Sequence, residues 1–168
     1  MNTQVYVSVG SNVDRRKNIE LALEQLANEF GVIEQSSVYE SDAVGFDSAP
    51  FYNLVIGFHT NELPRDIQAR LHAIEDACGR VRSQSLSART MDLDLLLYAD
   101  LVVDEAGLCL PRSDITRYAF VLCPLAEIAG EEKHPVSDEC YADMWAAFDD
   151  PEQVLTRIDW PPVASVAT

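Results

Sequence analysis

Val5, Val7 and Val9 alternate with Tyr6, Ser8 and Gly10, which is the two-residue period of a half-buried strand. Ser11-Asn12-Val13-Asp14 then breaks the strand and offers capping side chains. Immediately afterwards the apolar period lengthens to that of a helix, with Ile19, Leu23, Leu26 and Phe30 on one face and Gly31 as its stop. The same change of period occurs a second time. Residues 32–44 are rich in β-branched side chains, a turn-forming loop spans 45–50, and a further strand covers 52–60. Pro64 opens a second helix whose inner face is Ile67, Leu71, Ile74 and Cys78, closed by Gly79. After a polar stretch, residues 91–98 read as a fourth strand.

The resulting order, β-α-β-β-α-β, is the ferredoxin-like pattern and predicts an α+β fold. A short strand at 101–103, a Pro-bounded loop at 110–114 and helices at 118–128 and 138–148 extend that core toward the C-terminus. Residues 1–150 are expected to form a single domain. Residues 151–168, with Pro151, Pro161 and Pro162, are expected to form a loosely packed tail. The chain has 168 residues, 48% of them apolar, which suffices for a core.

Charge narrows the function. The 28 acidic residues against 12 basic ones leave a net −16, a field that repels nucleic acid and anionic membranes. No apolar run approaches the roughly 20 residues needed to span a bilayer, and the N-terminus lacks signal-peptide regions. A cytoplasmic protein is expected. Cys78, Cys109, Cys123 and Cys140 are far apart and form no C-x-x-C pair, so they read as small core residues.

The chemistry concentrates between Gly79 and Asp94. Arg80, Arg82 and Arg89 fall in a stretch without a single acid, inside a strongly acidic chain. Ten of the twelve basic residues are arginine, the side chain whose fork matches phosphate oxygens. Asp92 and Asp94 follow. On a strand they project from one face, about 6.6 Å apart, while Met91, Leu93 and Leu95 point into the core. Two adjacent carboxylates repel unless a cation lies between them, and magnesium commonly takes one or two carboxylates plus phosphate oxygens. The alternative is an ordinary solvated strand face. The preceding arginines favour a magnesium-nucleotide site.

No Walker phosphate loop, Gly-x-Gly-x-x-Gly fingerprint or nucleophile elbow is present, and His59, His72 and His134 are scattered. Phe51 enters a strand beside Asn53, and an aromatic face with an adjacent amide suits a flat heterocycle.

Five blocks, Val7-Ser8-Val9-Gly10-Ser11-Asn12, Phe51-Tyr52-Asn53, Gly79-Arg80-Val81-Arg82, the run from Arg89 to Tyr98, and Phe120-Val121-Leu122-Cys123-Pro124-Leu125, resemble the 6-hydroxymethyl-7,8-dihydropterin pyrophosphokinase family in order and spacing. The resemblance covers roughly residues 4–148. It implies pyrophosphate transfer from ATP to the pterin hydroxymethyl group in folate biosynthesis, with two Mg2+ ions and with ATP and the pterin as small-molecule partners; no nucleic-acid or membrane partner and a monomer or weak homodimer are expected. It assigns the metal to Asp92 and Asp94, with Asp94 also the carboxylate nearer the pterin hydroxyl. Arg82 and Arg89 correspond to phosphate-clamping arginines of a mobile catalytic loop. Glu75, Arg80, Leu95 and Arg112 fall at nucleotide-binding positions. Phe51 and Phe120 would sandwich the pterin, Asn53 would bond its edge, and Ser41, Asp42 and Val44 would complete that pocket.

The chain departs from the family pattern at several of these places. Leu86-Ser87-Ala88 stands for Trp-Gly-Pro, Pro111-Arg112-Ser113 for Pro-His and a following aromatic, Ser41-Asp42 for Thr-Pro, and Ala99 for glycine. Tyr118 replaces an arginine, leaving Arg112 or Arg117 to supply the charge. Two other readings stay open at this level: a relative acting on another small alcohol, and a catalytically weak pterin- or nucleotide-binding module.

Overall fold

The structure, a computed structural model, describes residues 2–42, 49–78 and 91–160. The elements are β1 (Thr3–Ser11), α1 (Arg15–Phe30), β2 (Glu34–Gln35), β3 (Val38–Ser41), β4 (Phe51–Thr60), α2 (Pro64–Ala77) and β5 (Asp92–Tyr98). There follow β6 (Val103–Glu105), β7 (Leu108–Leu110), α3 (Asp114–Arg117), α4 (Ala119–Ala129), α5 (Tyr141–Ala147) and β8 (Thr156–Ile158). The main sheet is antiparallel, in the order β5-β1-β4-β3-β8, with β2 also paired to β4. Taking β2 and β3 as one interrupted strand, the core strands lie in the order fourth, first, third, second, as a βαββαβ chain requires.

The interruption has a local cause. Ser36 donates its N–H to the Val55 carbonyl at 2.9 Å, and its hydroxyl accepts the Val55 N–H at 2.9 Å. Gln35 pairs with Ile56 and Tyr39 with Asn53, four steps on one strand against three on the other. The extra residue is a bulge.

Strand alternation separates two apolar layers. Val5, Val7, Val9, Leu54, Ile56, Phe58, Leu93 and Leu95 pack beneath α1 and α2, against Ile19, Leu23, Leu26, Ile67, Leu71 and Ile74. Tyr6, Val55, Leu96 and Leu97 face the other way and are covered by α4 and α5. Burying each large aliphatic side chain contributes about 1.5–3 kcal/mol, so the register is firmly specified. A one-residue slip of β5 would drive Asp92 and Asp94 into the core. A bulge in the β1–β5 ladder between Tyr6 and Val7 ends the acidic stripe, since beyond it both Leu96 and Leu97 join the second layer.

Several expectations meet corrections. The Asp14 side chain does not cap α1, because Asp14 is left-handed (φ 41°). Asn18 Nδ2 instead donates to the Val13 carbonyl at 2.5 Å. The sequence suggests a strand at 101–103, whereas the structure forms a β6–β7 hairpin, and α3 is an additional short helix. Both are too short to carry a period. Cys109 is exposed and the other three cysteines only partly buried, so none is a full core residue; Cys78 and Cys140 sit at helix ends, Cys109 in the short β7, and Cys123 in α4 beside Tyr39. The segment after residue 150 is not loose over its described part: β8 pairs with β3, matching Tyr39 to Arg157. Trp160 packs edge-on to Tyr52 at 6.1 Å beneath the Arg16 guanidinium, and Gln153 Oε1 accepts the Ala119 N–H at the start of α4. The exposed edge of β3 needs a partner, and such a demand leaves no local pattern in the partner's sequence. Among the described residues no helix is long and apolar enough to cross a membrane.

His134 organises the turn after α4. Its Nδ1 accepts the N–H groups of Val136 and Ser137, each at 3.2 Å, which requires that nitrogen to be unprotonated. Burial holds its pKa below the ordinary value, against an opposing pull from Glu139. On acidification the unfolded chain therefore takes up the proton first, and stability is expected to fall from about pH 6.5 downward until the folded imidazole also titrates. Urea midpoints measured from pH 7 to 5 should decline more steeply for the wild type than for His134→Asn, whose amide oxygen can accept without titrating. Equal slopes would refute the assignment.

Candidate functional site

The sheet face opposite α1 and α2 is uncovered at one end, and small residues make room there. On β1, Ser8 lies opposite Asp94 on one side and Val55 on the other, while Gly10 lies between Asp92 and Asn53. Ser41 on β3 pairs with Phe51 on β4. Apart from Val55, these residues and Asp42 line a cavity of about 310 Å³, closed from above by Asp114 of α3 and by Tyr118, Phe120 and Val121 at the start of α4. Six of the positions singled out from sequence, Ser41, Asp42, Phe51, Asn53, Asp92 and Asp94, thus share one wall system with a seventh, Phe120, above them.

Asn53 is nearly buried, and its Nδ2 donates to the Ser41 hydroxyl at 2.8 Å. A Cβ on Gly10 would lie 2.8 Å from Asn53 Oδ1, so glycine is what allows the amide to lie across β1. Phe51 presents an aromatic face from the sheet layer and Phe120 one from the helical layer. Phe120 is itself stacked on Tyr118, ring centroids 5.1 Å apart. A flat, hydrogen-bonding ring suits such a space.

Asp92 and Asp94 are partly buried on the cavity face, while Leu93 and Leu95 are buried on the other. Among the described residues no three His, Cys, Asp or Glu side chains gather into a complete metal cage. Two carboxylates open to a cavity are nevertheless the donor set magnesium uses when phosphate and water supply its remaining ligands. The residues fit that ion.

Arg112 reaches this pair from the loop before α3. Its Nε donates to Asp114 Oδ2 at 3.1 Å, and a terminal nitrogen lies 3.6 Å from Asp94 Oδ1. Burial works against its charge, but the carboxylates of Asp94, Asp114 and Asp92 outweigh burial and raise the guanidinium pKa above its ordinary value. Arginine is charged in any case; the acid cluster makes its charge more favourable still.

Two residues expected at nucleotide-binding positions lie off this cavity. The Leu95 side chain is buried beneath α1 and α2, because alternation sends it away from Asp94. Glu75 is 1% exposed, and its Oε2 accepts the Leu93 N–H at 3.0 Å. It ties the end of α2 to the outer edge of the strand that carries the aspartates. Arg80, Arg82, Arg89 and Val44 lie outside the described residues. Sequence reasoning misses Asp114 and the wall position of Gly10. Asp114 carries the ordinary signature of an acid in a first helical turn, and Gly10 looks only like a strand end. Tyr118 stands out in the sequence only as a replacement for arginine, and the structure makes it part of the cavity wall.

An α+β sheet whose open end sets paired aspartates beside two aromatic rings and an amide defines a small-molecule-binding protein with a metal-ready wall. Residues 6–130 match the family model described as 7,8-dihydro-6-hydroxymethylpterin-pyrophosphokinase (HPPK). The chain belongs to that family.

Its relatives include the 2-amino-4-hydroxy-6-hydroxymethyldihydropteridine pyrophosphokinases of Pseudomonas aeruginosa and Bacillus subtilis. The first is 37% identical over 139 residues, 80% of this chain and 86% of that protein. The second is 35% identical over 144 residues, 83% and 86% respectively. The chain also matches the folic acid synthesis protein fol1 of Pneumocystis carinii, 34% identical over 139 residues, which is 81% of this chain but 19% of that longer protein. The wild-type Plasmodium falciparum HPPK-DHPS crystal structure shares the fold, with a TM-score of 0.67 at 15% identity over 87% of this chain and 44% of that one.

Proposed function

We propose that this chain transfers pyrophosphate from Mg-ATP to the hydroxymethyl group of 6-hydroxymethyl-7,8-dihydropterin, releasing AMP, as a step of folate biosynthesis. The observation that carries the reading is the single cavity joining Asp92 and Asp94 to Phe51, Asn53 and Phe120. Family membership gives the reaction and the site residues give the means.

In this reading the pterin lies between Phe51 and Phe120, with its edge bonded by Asn53 and by groups around Ser41, Asp42 and Val44. Asp92 and Asp94 hold magnesium, which when bound neutralises charge on the triphosphate. The pterin hydroxyl oxygen attacks the β-phosphorus, the bond from that phosphorus to the α-bridging oxygen breaks, and AMP leaves with the electron pair. Asp94 accepts the hydroxyl proton. Arg82 and Arg89 clamp the phosphates and, together with Arg80 and Arg112, offset the developing charge. Leu95 contributes at most its backbone, and Glu75 acts by fixing β5. The finer expectations belong to the same proposal: two Mg2+ ions, a cytoplasmic monomer or weak homodimer, and no nucleic-acid or membrane partner.

The test is to incubate the protein with Mg-ATP and the hydroxymethyl dihydropterin and to identify the nucleotide product. Pterin-dependent AMP is expected. ADP, or AMP formed equally without pterin, would overturn the reading.

A further inference from the structure

Arg112 sits where the metal-binding wall and the helical cover meet. Its backbone N–H donates to the Leu96 carbonyl at 3.0 Å, which pins the residue against β5 close to Asp94. Its side chain spans two acids from different elements: Asp114 on the Nε side at 3.1 Å, and Asp94 at 3.6 Å from a terminal nitrogen. The Asp114 contact is the shorter one and uses the nitrogen that leaves the forked end pointing toward Asp94. Both partners line the cavity, and the Arg112 side chain is 38% exposed, so it can move without breaking a packed core.

We propose that Arg112 is an internal countercation for Asp94, surrendering that carboxylate when a metal-phosphate ligand arrives, and that Asp114 is the positioning residue that keeps the guanidinium at the cavity during the exchange. The proposal rests on Asp94 being a metal ligand, as in the proposed function. Two carboxylates on one strand face repel each other, and a positive fork resting on one of them lowers that repulsion while no divalent ion is bound. Phosphate oxygens offer the fork equivalent acceptors, so transfer from Asp94 to a triphosphate exchanges one charge-assisted contact for another. Asp114 retains its hold on Nε throughout.

The consequence is a competition that can be read without turnover. Mn2+ binding to the full chain, with no nucleotide present, is followed by the loss of the free-ion paramagnetic resonance signal. Arg112→Gln should bind Mn2+ about three- to fivefold more tightly than the wild type, the upper end of what a half-exposed ion pair contributes. Asp114→Asn should bind it more weakly, because the guanidinium then leans on Asp94 alone, and that weakening should vanish when Arg112 is also Gln. Arg65→Gln removes the same charge from an ion pair with Glu105 near the start of α2 and should leave Mn2+ affinity within about twofold. Affinity for Mg-ATP should fall in Arg112→Gln.

Unchanged or weaker Mn2+ binding by Arg112→Gln would overturn the proposal. So would equal tightening by Arg65→Gln, which would reduce the effect to net charge. If the wild type forms pterin-dependent AMP while Arg112→Gln gains no affinity for Mn2+, the exchange fails and the transferase reading stands. Tightened Mn2+ binding in a protein that forms no AMP would uphold the exchange and remove that reading.

Discussion

Asp94→Ala is expected to lower the rate of AMP formation by at least about a thousandfold, with the affinity for the pterin nearly unchanged. The separation follows from where Asp94 stands. Its carboxylate faces the cavity opposite Ser8, while the pterin-facing groups belong to β3, β4 and α4. The side chain is 37% exposed, so truncating it leaves no void in either apolar layer. Arg112, deprived of one acid, keeps the other at Asp114. The fold should therefore survive, and the loss should fall on charge neutralisation and proton acceptance. Turnover measured beside pterin binding by fluorescence titration decides the matter. A parallel loss of both would make Asp94 a structural residue.

Gly10→Ala should weaken pterin binding by roughly ten- to a hundredfold while sparing nucleotide binding and most of the stability. The new methyl carbon would stand 2.8 Å from Asn53 Oδ1, closer than side chains tolerate, with the Phe51 ring next at 3.7 Å. What it strikes first is the end of a side chain, not backbone, so the sheet can relieve the clash by turning the amide aside. That relief is inexpensive for the fold and damaging for the site, since the amide is held by the 2.8 Å bond to Ser41. A melting temperature close to the wild type together with a raised pterin Kd is the expected pair of results. An unchanged Kd would show that Asn53 does not read the ligand. A collapsed melting temperature would show that Gly10 serves the sheet before the cavity.

Much of the site is legible in the amino-acid sequence because it is written in strand alternation. Asp92 and Asp94 on one face, with Leu93 and Leu95 on the other, is a consequence of the two-residue period and needs no tertiary information. The same holds for the pairing of an aromatic and an amide at Phe51 and Asn53, which share a strand face. Where expectation and structure part, the deciding contacts are long-range. Resemblance places Glu75 at a nucleotide position, but burial at the end of α2 turns its carboxylate onto the Leu93 backbone. It places Leu95 there too, whereas that side chain obeys the core.

The amino-acid order by itself determined the βαββαβ order of the core, the two faces of the sheet, and the acid pair with its neighbouring arginines. These rest on interactions between residues a few positions apart, where period and turn chemistry suffice. Only the tertiary structure decided that α3 and α4 lie across the open end of the sheet, bringing Asp114, Tyr118 and Phe120 over strands far away in the chain. It alone decided that Arg112 meets Asp94, and that β8 completes the edge of β3. Each of these depends on which apolar face covers which, and that is settled by burial of the whole core rather than by any local pattern.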